Sequence, residues 1–208
     1  MREKVAIIGY SGHSYVVIDI IESMGSEVAG YFDKNKKDYN PYSLEYLGDE
    51  NNSNATSILK SCNWFVAIGD NQIRNKIITS ILSKGLHKPL SIFHKSSVVS
   101  KKASIGYGTM FAAGAKANPF AVIGNGVICN TGSIIEHECK IGDFSHIGPG
   151  AILTGNVYVG ERTFVGANSV VKQGLKIGNN VTIGAGTVVI NDIPDNVTIV
   201  GNPGRIIK

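Results

Sequence analysis

A histidine followed by a glutamate, His137-Glu138, stands where this 208-residue chain breaks its own pattern. An imidazole held at one ring nitrogen by a carboxylate is oriented, and made more basic at the other nitrogen. It can then take a proton from an attacking amine or hydroxyl. Eighteen residues further on stands Gly155, whose backbone amide can approach a developing oxyanion closely. The other side chains with chemistry in this stretch are Asn130, Cys139 and His146. These residue types suit proton transfer during the attack of a nucleophile, provided the fold brings them together. A His beside a Glu is also an ordinary polar surface pair, so the choice rests on the elements that position it.

From Phe93 to Val189 every sixth residue is apolar, with no register break, and a small or branched residue usually follows four positions later, as in Ser97, Ala103 and Thr109. Neither a 3.6-residue nor a two-residue period fits. The pattern predicts a hexapeptide-repeat β-solenoid in which each repeat buries its aliphatic residue against its neighbours. With three hexads per turn, residues 18 apart stack at the spacing of paired strands, roughly 4.8 Å. The column Ile105, Ile123, Ile141, Val159, Ile177 is followed each time by Gly, and the column Phe111, Cys129, Ile147, Val165, Ile183 is nearly as regular. The third column, Ala117, Ile135, Leu153, Val171, Val189, is followed by Asn118, Glu136, Thr154, Lys172 and Ile190, with no Gly at all. A departure from a strict local rule marks a place where function is expected. His137 lies at the corner after this third face, with Gly155 one coil above. His146, nine residues on, faces away from His137 within one chain and can approach it only across an interface, such as that of a closed three-fold ring. Asn130 replaces the Gly of its column on the face opposite in phase to His137. Cys139 takes the small inward position of its hexad, which predicts a buried, inert thiol rather than a nucleophile.

Residues 1–91 alternate differently from residues 92–208, and the chain divides there into two domains. Val5 to Ile8 reads as a strand, Gly9 to His13 as a turn, Val16 to Met24 as a helix and Val28 to Phe32 as a second strand ending at Asp33. Lys34 to Ser57 reads as a loop, Trp64 to Ile68 as a strand and Ile73 to Leu82 as a helix. A small Rossmann-like parallel sheet follows from this order. Its ligand belongs at the carboxyl ends of the strands, where Gly9 to His13, Asp33 and Gly69 to Asn71 converge. Only Gly9 and Gly12 of a dinucleotide fingerprint are present, so a tight turn without a ligand stays open as a reading. Against that, the helix N-terminus near His13 favours a phosphate, and Asp33 is placed for a sugar or base hydroxyl. A nucleotide-bearing ligand is expected, and the incomplete fingerprint disfavours a hydride-carrying cofactor.

The formal net charge of +4 is small and dispersed, without a basic run interleaved with aromatics, and argues against nucleic acid as a partner. The start MREKVAIIGYSG holds an apolar stretch too short for a signal sequence or a membrane span, so it reads as a first strand in a cytoplasmic protein. Three cysteines, Cys62, Cys129 and Cys139, cannot all pair, and reduced thiols acting as small hydrophobes are expected. No metal is called for.

The hexads, the stretch IIEHECKIGDFSHIGPGAILTGNVYVGERTFVGANSVV, the ending VGNPGRIIK, the GYSGH loop and the AIGDNQIR segment together resemble the left-handed β-helix sugar acetyltransferases with a Rossmann-like N-terminal domain. That family includes the N-acetyltransferases of UDP-4-amino-4,6-dideoxy sugars and of GDP-perosamine, and the sialic acid O-acetyltransferases. The resemblance covers the whole chain. It implies a left-handed coil, against the general right-handed crossover rule. It further implies His137 as general base with Glu138 as its partner, and His146 and Asn130 at further active-site positions. Gly155 would present its amide to a thioester carbonyl. Acetyl-CoA would lie between adjacent prisms of a homotrimer, along Gly166, Ala167 and Ala185 and near Arg205, and a nucleotide sugar would be held by Ser11, Gly12, His13, Asp33, Lys34 and Gly69. The family's usual tail reads Gly-x-Pro-Ala, whereas here Gly204 follows Pro203. The implied activity is N-acetylation of a UDP- or GDP-linked 4-amino-4,6-dideoxy sugar for bacterial surface glycans (lipopolysaccharide, O-antigen) or glycoproteins. O-acetylation of sialic acid is the nearest rival, and a non-catalytic nucleotide-sugar-binding solenoid is the alternative of a different class.

Overall fold

The computed structural model describes residues 3–52 and 54–208. Its first unit is a four-stranded parallel sheet in the order β3-β2-β1-β4, with β1 at Lys4–Ile8, β2 at Glu27–Phe32, β3 at Tyr46–Gly48 and β4 at Asn63–Val66. Buried on both faces, β1 and β4 are near-continuous apolar runs, as parallel strands between helices require. Helix α1 (Gly12–Ser23) covers one face through Val17, Ile18 and Ile21, and α2 (Ala55–Ser61) and α3 (Asn71–Ser83) cover the other through Leu59, Ile78 and Ile81.

The segment expected to be a loop from Lys34 to Ser57 is only partly one. It contains β3, which pairs in parallel with β2, and α2 begins inside it at Ala55. Two features account for this. At Gly30, with φ +151, an added Cβ would meet the Glu45 carbonyl oxygen at 2.7 Å and Leu47 Cγ at 2.9 Å, so the glycine lets β3 close onto β2. A strand of only three residues, half-buried throughout, shows no usable alternation. Helices α1 and α3 also begin earlier than their apolar periodicity indicated, at Gly12 and Asn71, because the first turn of each is polar.

From Ile92 onward the chain winds as a three-sided prism. Its faces are a five-stranded sheet (Ser104–Ile105 to Lys176–Ile177), a six-stranded sheet (Val98–Val99 to Val188–Val189) and an eight-stranded sheet that opens with Ile92–Phe93 and closes with the antiparallel pair Thr198–Val200 and Arg205–Ile206. Residues 18 apart are direct partners: Ile123 pairs with Ile141, Cys129 with Ile147 and Ile135 with Leu153. From Ile92–Phe93 to Val188–Val189 the second residue of each two-residue strand points inward, and these residues form one continuous apolar core. Cys129 and Cys139 lie fully buried in it, and burial pushes both thiols up, which suits inert packing residues.

The N-terminal unit sits on the lower half of the eight-stranded face. Ile92, Met110, Ala112 and Ile128 point outward there and are buried against α1 and its sheet, while Phe144 packs with Ile78 and Ile81 of α3. Above that footprint the same face presents His146, Phe164 and Thr182.

Candidate active site

His137 follows the six-stranded face at its junction with the five-stranded one. Glu138 is held in the left-handed region, φ 62, on the ridge where Phe120, Asn156 and Gly174 take the same conformation in neighbouring coils. A glutamate there costs roughly 1–2 kcal/mol relative to a residue that prefers the region, and it turns the carboxylate beside the ring. Glu138 Oε2 lies 3.1 Å from His137 Nδ1, with both side chains more than half exposed. A carboxylate accepts only, so Nδ1 carries the proton in this contact, and the lone pair of the neutral ring is on Nε2. The ring passes directly over Gly155: an added Cβ there would meet His137 Cε1 at 2.5 Å and Nε2 at 2.6 Å. The Gly155 N–H makes no hydrogen bond among the described residues. The ridge therefore offers a free basic nitrogen beside a free amide. Gly155→Ala is expected to swing the imidazole off its seat and lower kcat roughly 10- to 100-fold with an unchanged melting temperature. Full activity in that variant would show that the close approach of ring and glycine serves nothing.

A second group of polar residues occupies the seam between the two units. His146 is 8% exposed, and its Nε2 lies 3.0 Å from Asn130 Nδ2, so the two residues meet as one unit on the eight-stranded face. His13, in the first turn of α1, brings its ring centroid to 6.3 Å from that of His146. Burial first, then the charge of Arg74, pulls His13 down to about 4, and burial, Arg74 and His13 pull His146 down to about 3. Both imidazoles are therefore neutral at physiological pH. Beside them a cleft of about 500 Å³ is lined by Gly69, Asp70 and Asn71 on one side and by His146, Arg162 and Phe164 on the other.

Arg74 holds this seam together, and sequence reasoning assigned it no role. Fully buried, it donates from Nε to the Gly126 carbonyl (2.7 Å), from Nη1 to those of Ile68 (3.1 Å) and Gly69 (3.0 Å), and from Nη2 to Phe144 O (2.9 Å) and Asn71 Oδ1 (2.9 Å). The loop after β4 and two successive corners of the prism are thus fastened to one guanidinium. Its one sequence signal is an arginine amid the apolar positions of a helix.

The residues singled out from sequence fall into five places. His137, Glu138 and Gly155 come together on the ridge. His13, Gly69, Asn130 and His146 gather at the seam, on another side of the prism. Asp33, directly after β2, is already engaged, accepting from the Tyr10 N–H at 3.1 Å and pairing with Lys37 at 2.9 Å, while Ser11, Gly12 and Lys34 are exposed at the same end of the sheet. Gly166 has a packing reason of its own, since an added Cβ would meet Ile183 O at 2.5 Å and Ala185 N at 2.6 Å in the next coil. Ala185 is exposed and Ala167 half-buried on the corner beside it, and Arg205 is exposed on the last strand. No helix among the described residues is long and apolar enough to cross a membrane.

Comparison with known proteins places this geometry. Residues 4–81 match the PglD N-terminal domain, and residues 156–191 match the bacterial transferase hexapeptide (six repeats). The acetyltransferase domain of PglB from Neisseria gonorrhoeae, solved in complex with acetyl coenzyme A, is 32% identical with a TM-score of 0.90, and the match covers 100% of both chains. PerB from Caulobacter crescentus, solved with CoA and GDP-perosamine, is 36% identical with a TM-score of 0.90, over 99% of this chain and 97% of that one. WeeI from Acinetobacter baumannii, at 23% identity and a TM-score of 0.82, shares the fold. With two solved acetyltransferases more than 30% identical over its whole length, this chain belongs to the left-handed β-helix, hexapeptide-repeat sugar acetyltransferases that carry a Rossmann-like N-terminal domain, and it is an acetyl-CoA-dependent enzyme.

Proposed function

We propose that the acceptor is the amino group of a nucleotide-activated 4-amino-4,6-dideoxy sugar, acetylated in the cytoplasm on the way to a surface glycan or glycoprotein. The observation that carries the reading is the ridge of His137, Glu138 and Gly155: a base with its lone pair at Nε2, beside an unengaged amide. The similarity to PerB, a perosamine N-acetyltransferase solved with GDP-perosamine, favours nitrogen over oxygen as the acceptor. Acetyl-coenzyme A supplies an activated acetyl group as a thioester. His137 Nε2 takes the proton of the acceptor amine as the new C–N bond forms, and Glu138 stabilises the imidazolium that results. The Gly155 N–H faces the charge that develops on the carbonyl oxygen. The proton on His137 then passes to the departing thiolate, so no acyl-enzyme is required. Most of the rate comes from holding both substrates in register.

The enzyme is proposed to work as a homotrimer. The six-stranded face lies between the ridge of His137 and the corner that carries Asn130. Above Lys116 its outward residues Ile134, Ile152, Val170 and Val188 form an unbroken aliphatic stripe only half-covered in the single chain, whereas the five-stranded face alternates Val122 and Tyr158 with Ser104, Lys140 and Lys176. Three prisms with their stripes turned to a common axis would set each His137 against a neighbour's Asn130 and His146. The nucleotide sugar would then run from Asp33 and Lys34, past the α1 N-terminus at Ser11, Gly12 and His13, to Gly69 and the seam. The thioester arm would follow Gly166, Ala167 and Ala185, with Arg205 near its far end. Ile152→Glu is expected to yield a monomer by light scattering with acetyl transfer lowered at least tenfold, because a buried unpaired carboxylate is costly. A monomeric wild type, or a fully active monomeric variant, would exclude the shared site. The direct test of the function is coenzyme A release with UDP- and GDP-linked 4-amino sugars and with free sialic acid. Turnover with sialic acid alone would replace the N-transfer reading.

A further inference from the structure

The small net charge of the chain is the balance of two unlike regions. From Asn71 to Ile135 the sequence holds eight Lys and Arg residues and no Asp or Glu. Arg74 is spent on the seam and Lys76 lies on α3, whereas the other six are exposed, and the fold gathers five of those at the lower end of the prism. Lys95, Lys101 and Lys102 belong to the first coil, where the Lys95 N–H donates to Ser23 Oγ at the end of α1 (3.2 Å). Lys88 Nζ lies 5.2 Å over the Tyr107 ring of the same coil. Helix α3 runs down the prism, from Asn71 beside the Arg162 carbonyl (3.1 Å) past Arg74 at Gly126, so Lys84 at its C-cap reaches the same end. Inside this rim the apolar core is uncovered. Phe93, Val99, Ala103 and Ile105 are only partly buried, whereas Phe111, Ala117, Ala121 and Ile123, one coil above, are at most 2% exposed. Val98, on the outer side of the first coil, is 60% exposed. The acidic groups at this end, Glu3, Asp19, Glu22 and Glu27, all belong to the N-terminal unit, and Asp19 lies 3.5 Å from His94.

Lysines at an open sheet edge deter pairing with another chain, and here the carbonyls of Phe93, Val99 and Ile105 receive no N–H from below among the described residues. Edge protection is served by Lys and Glu alike, so it does not explain why every charge on the first coil is positive. An apolar patch ringed by ammonium groups, on the flat end of a rigid prism, has the chemistry of a contact with anionic lipid. Lysines are drawn to the negative surface potential of the headgroups, and the apolar side chains beside them gain by leaving water at the interface. We propose that the base of the prism docks on the surface of an anionic bilayer, with Lys84, Lys88, Lys95, Lys101 and Lys102 against the lipid headgroups. The ridge of His137 and Gly155 lies on the third and fourth coils, so docking leaves it open to solution. Around a three-fold axis parallel to the prisms three bases face one way, which multiplies the charge on one plane, although a single chain already presents the surface.

Cosedimentation with vesicles tests this, using phosphatidylcholine alone and phosphatidylcholine with one-third phosphatidylglycerol. At low salt the wild type is expected to bind the anionic vesicles about tenfold or more tightly than the neutral ones. Molar salt, where the Debye length is about 3 Å, should release it. The double variant Lys101→Glu, Lys102→Glu should lose affinity about tenfold or more, with coenzyme A release and the melting temperature unchanged. Lys176→Glu with Lys208→Glu makes the same change of net charge toward the other end of the prism, and should keep most of the binding. No binding to anionic vesicles, equal affinity for neutral ones, or equal loss in the two double variants overturns the proposal. Binding to duplex DNA as tight as to the vesicles at the same salt assigns the base to polyanions in general and overturns the membrane reading. Vesicle binding is read without substrate, so its failure leaves the acetyl-transfer reading standing, and a chain inactive on every nucleotide sugar can still dock.

Discussion

His137→Ala lowers kcat for acetyl transfer by about 100-fold or more, the usual scale for loss of a general base, with the assembly and the melting temperature unchanged. The separation of effects follows from the environment. The side chain is 51% exposed and its one hydrogen bond is to a carboxylate that is 61% exposed, so its removal leaves no buried group unsatisfied. Thiol release on coenzyme A formation measures the rate, with binding of the nucleotide diphosphate as the control for an intact substrate site. Glu138→Gln should cost less, because an amide can still hold the ring but does not stabilise the imidazolium. An alanine variant that turns over at the wild-type rate would remove the ridge from the chemistry.

Arg74→Met destabilises the fold by about 3–5 kcal/mol, the scale for removing one side of a buried charged hydrogen-bond set. The guanidinium is fully buried, and its loss strips donors from the carbonyls of Gly126, Ile68, Gly69 and Phe144 at once. Urea denaturation reads the loss. A change below 1 kcal/mol would mean that water or neighbouring groups replace the arginine without penalty. The variant also changes the acid response of the seam. His13 and His146 have native pKa values of about 4 and about 3, below the ordinary 6.5 of a free imidazole, so in acid the unfolded chain binds more protons than the native one. Their contribution to stability is complete above pH 6.5 and falls as the pH drops toward 4 and 3. Without the Arg74 charge both pKa values rise and this dependence becomes shallower. Titration of the imidazole Cε1 protons by NMR measures the shift directly.

The two predictions draw on differently legible parts of the chain. The ridge could be located before any coordinates, because a hexad column without glycine pointed to the corner of His137 and the 18-residue circumference set Gly155 above it. What the column could not say is why residue 155 is glycine. The structure gives a steric reason, room for the imidazole, beside the expected amide. The seam was only half legible. The sequence brings His13 and Gly69 together at the strand ends and the resemblance pairs Asn130 with His146, but neither shows the two pairs meeting beside Arg74. In the segment from Lys34 to Ser57 the polar composition of a loop conceals β3 and the tyrosine packing that closes the α1 side of the sheet's carboxyl end.

Side-chain pattern was enough to fix the prism, the positions of its ridges and the strand-turn-helix-strand start of the N-terminal sheet. These rest on backbone pairing between residues a fixed number of positions apart and on alternation between inside and outside, both of which are written in side-chain type. The tertiary structure alone decided how the N-terminal unit seats on the eight-stranded face and which side of the sheet remains open. The groups that make those contacts are main-chain carbonyls gathered around one buried guanidinium, and tyrosines packed across a turn. A carbonyl is the same at every residue, so its partner can be recognised only once the chain has brought the two together.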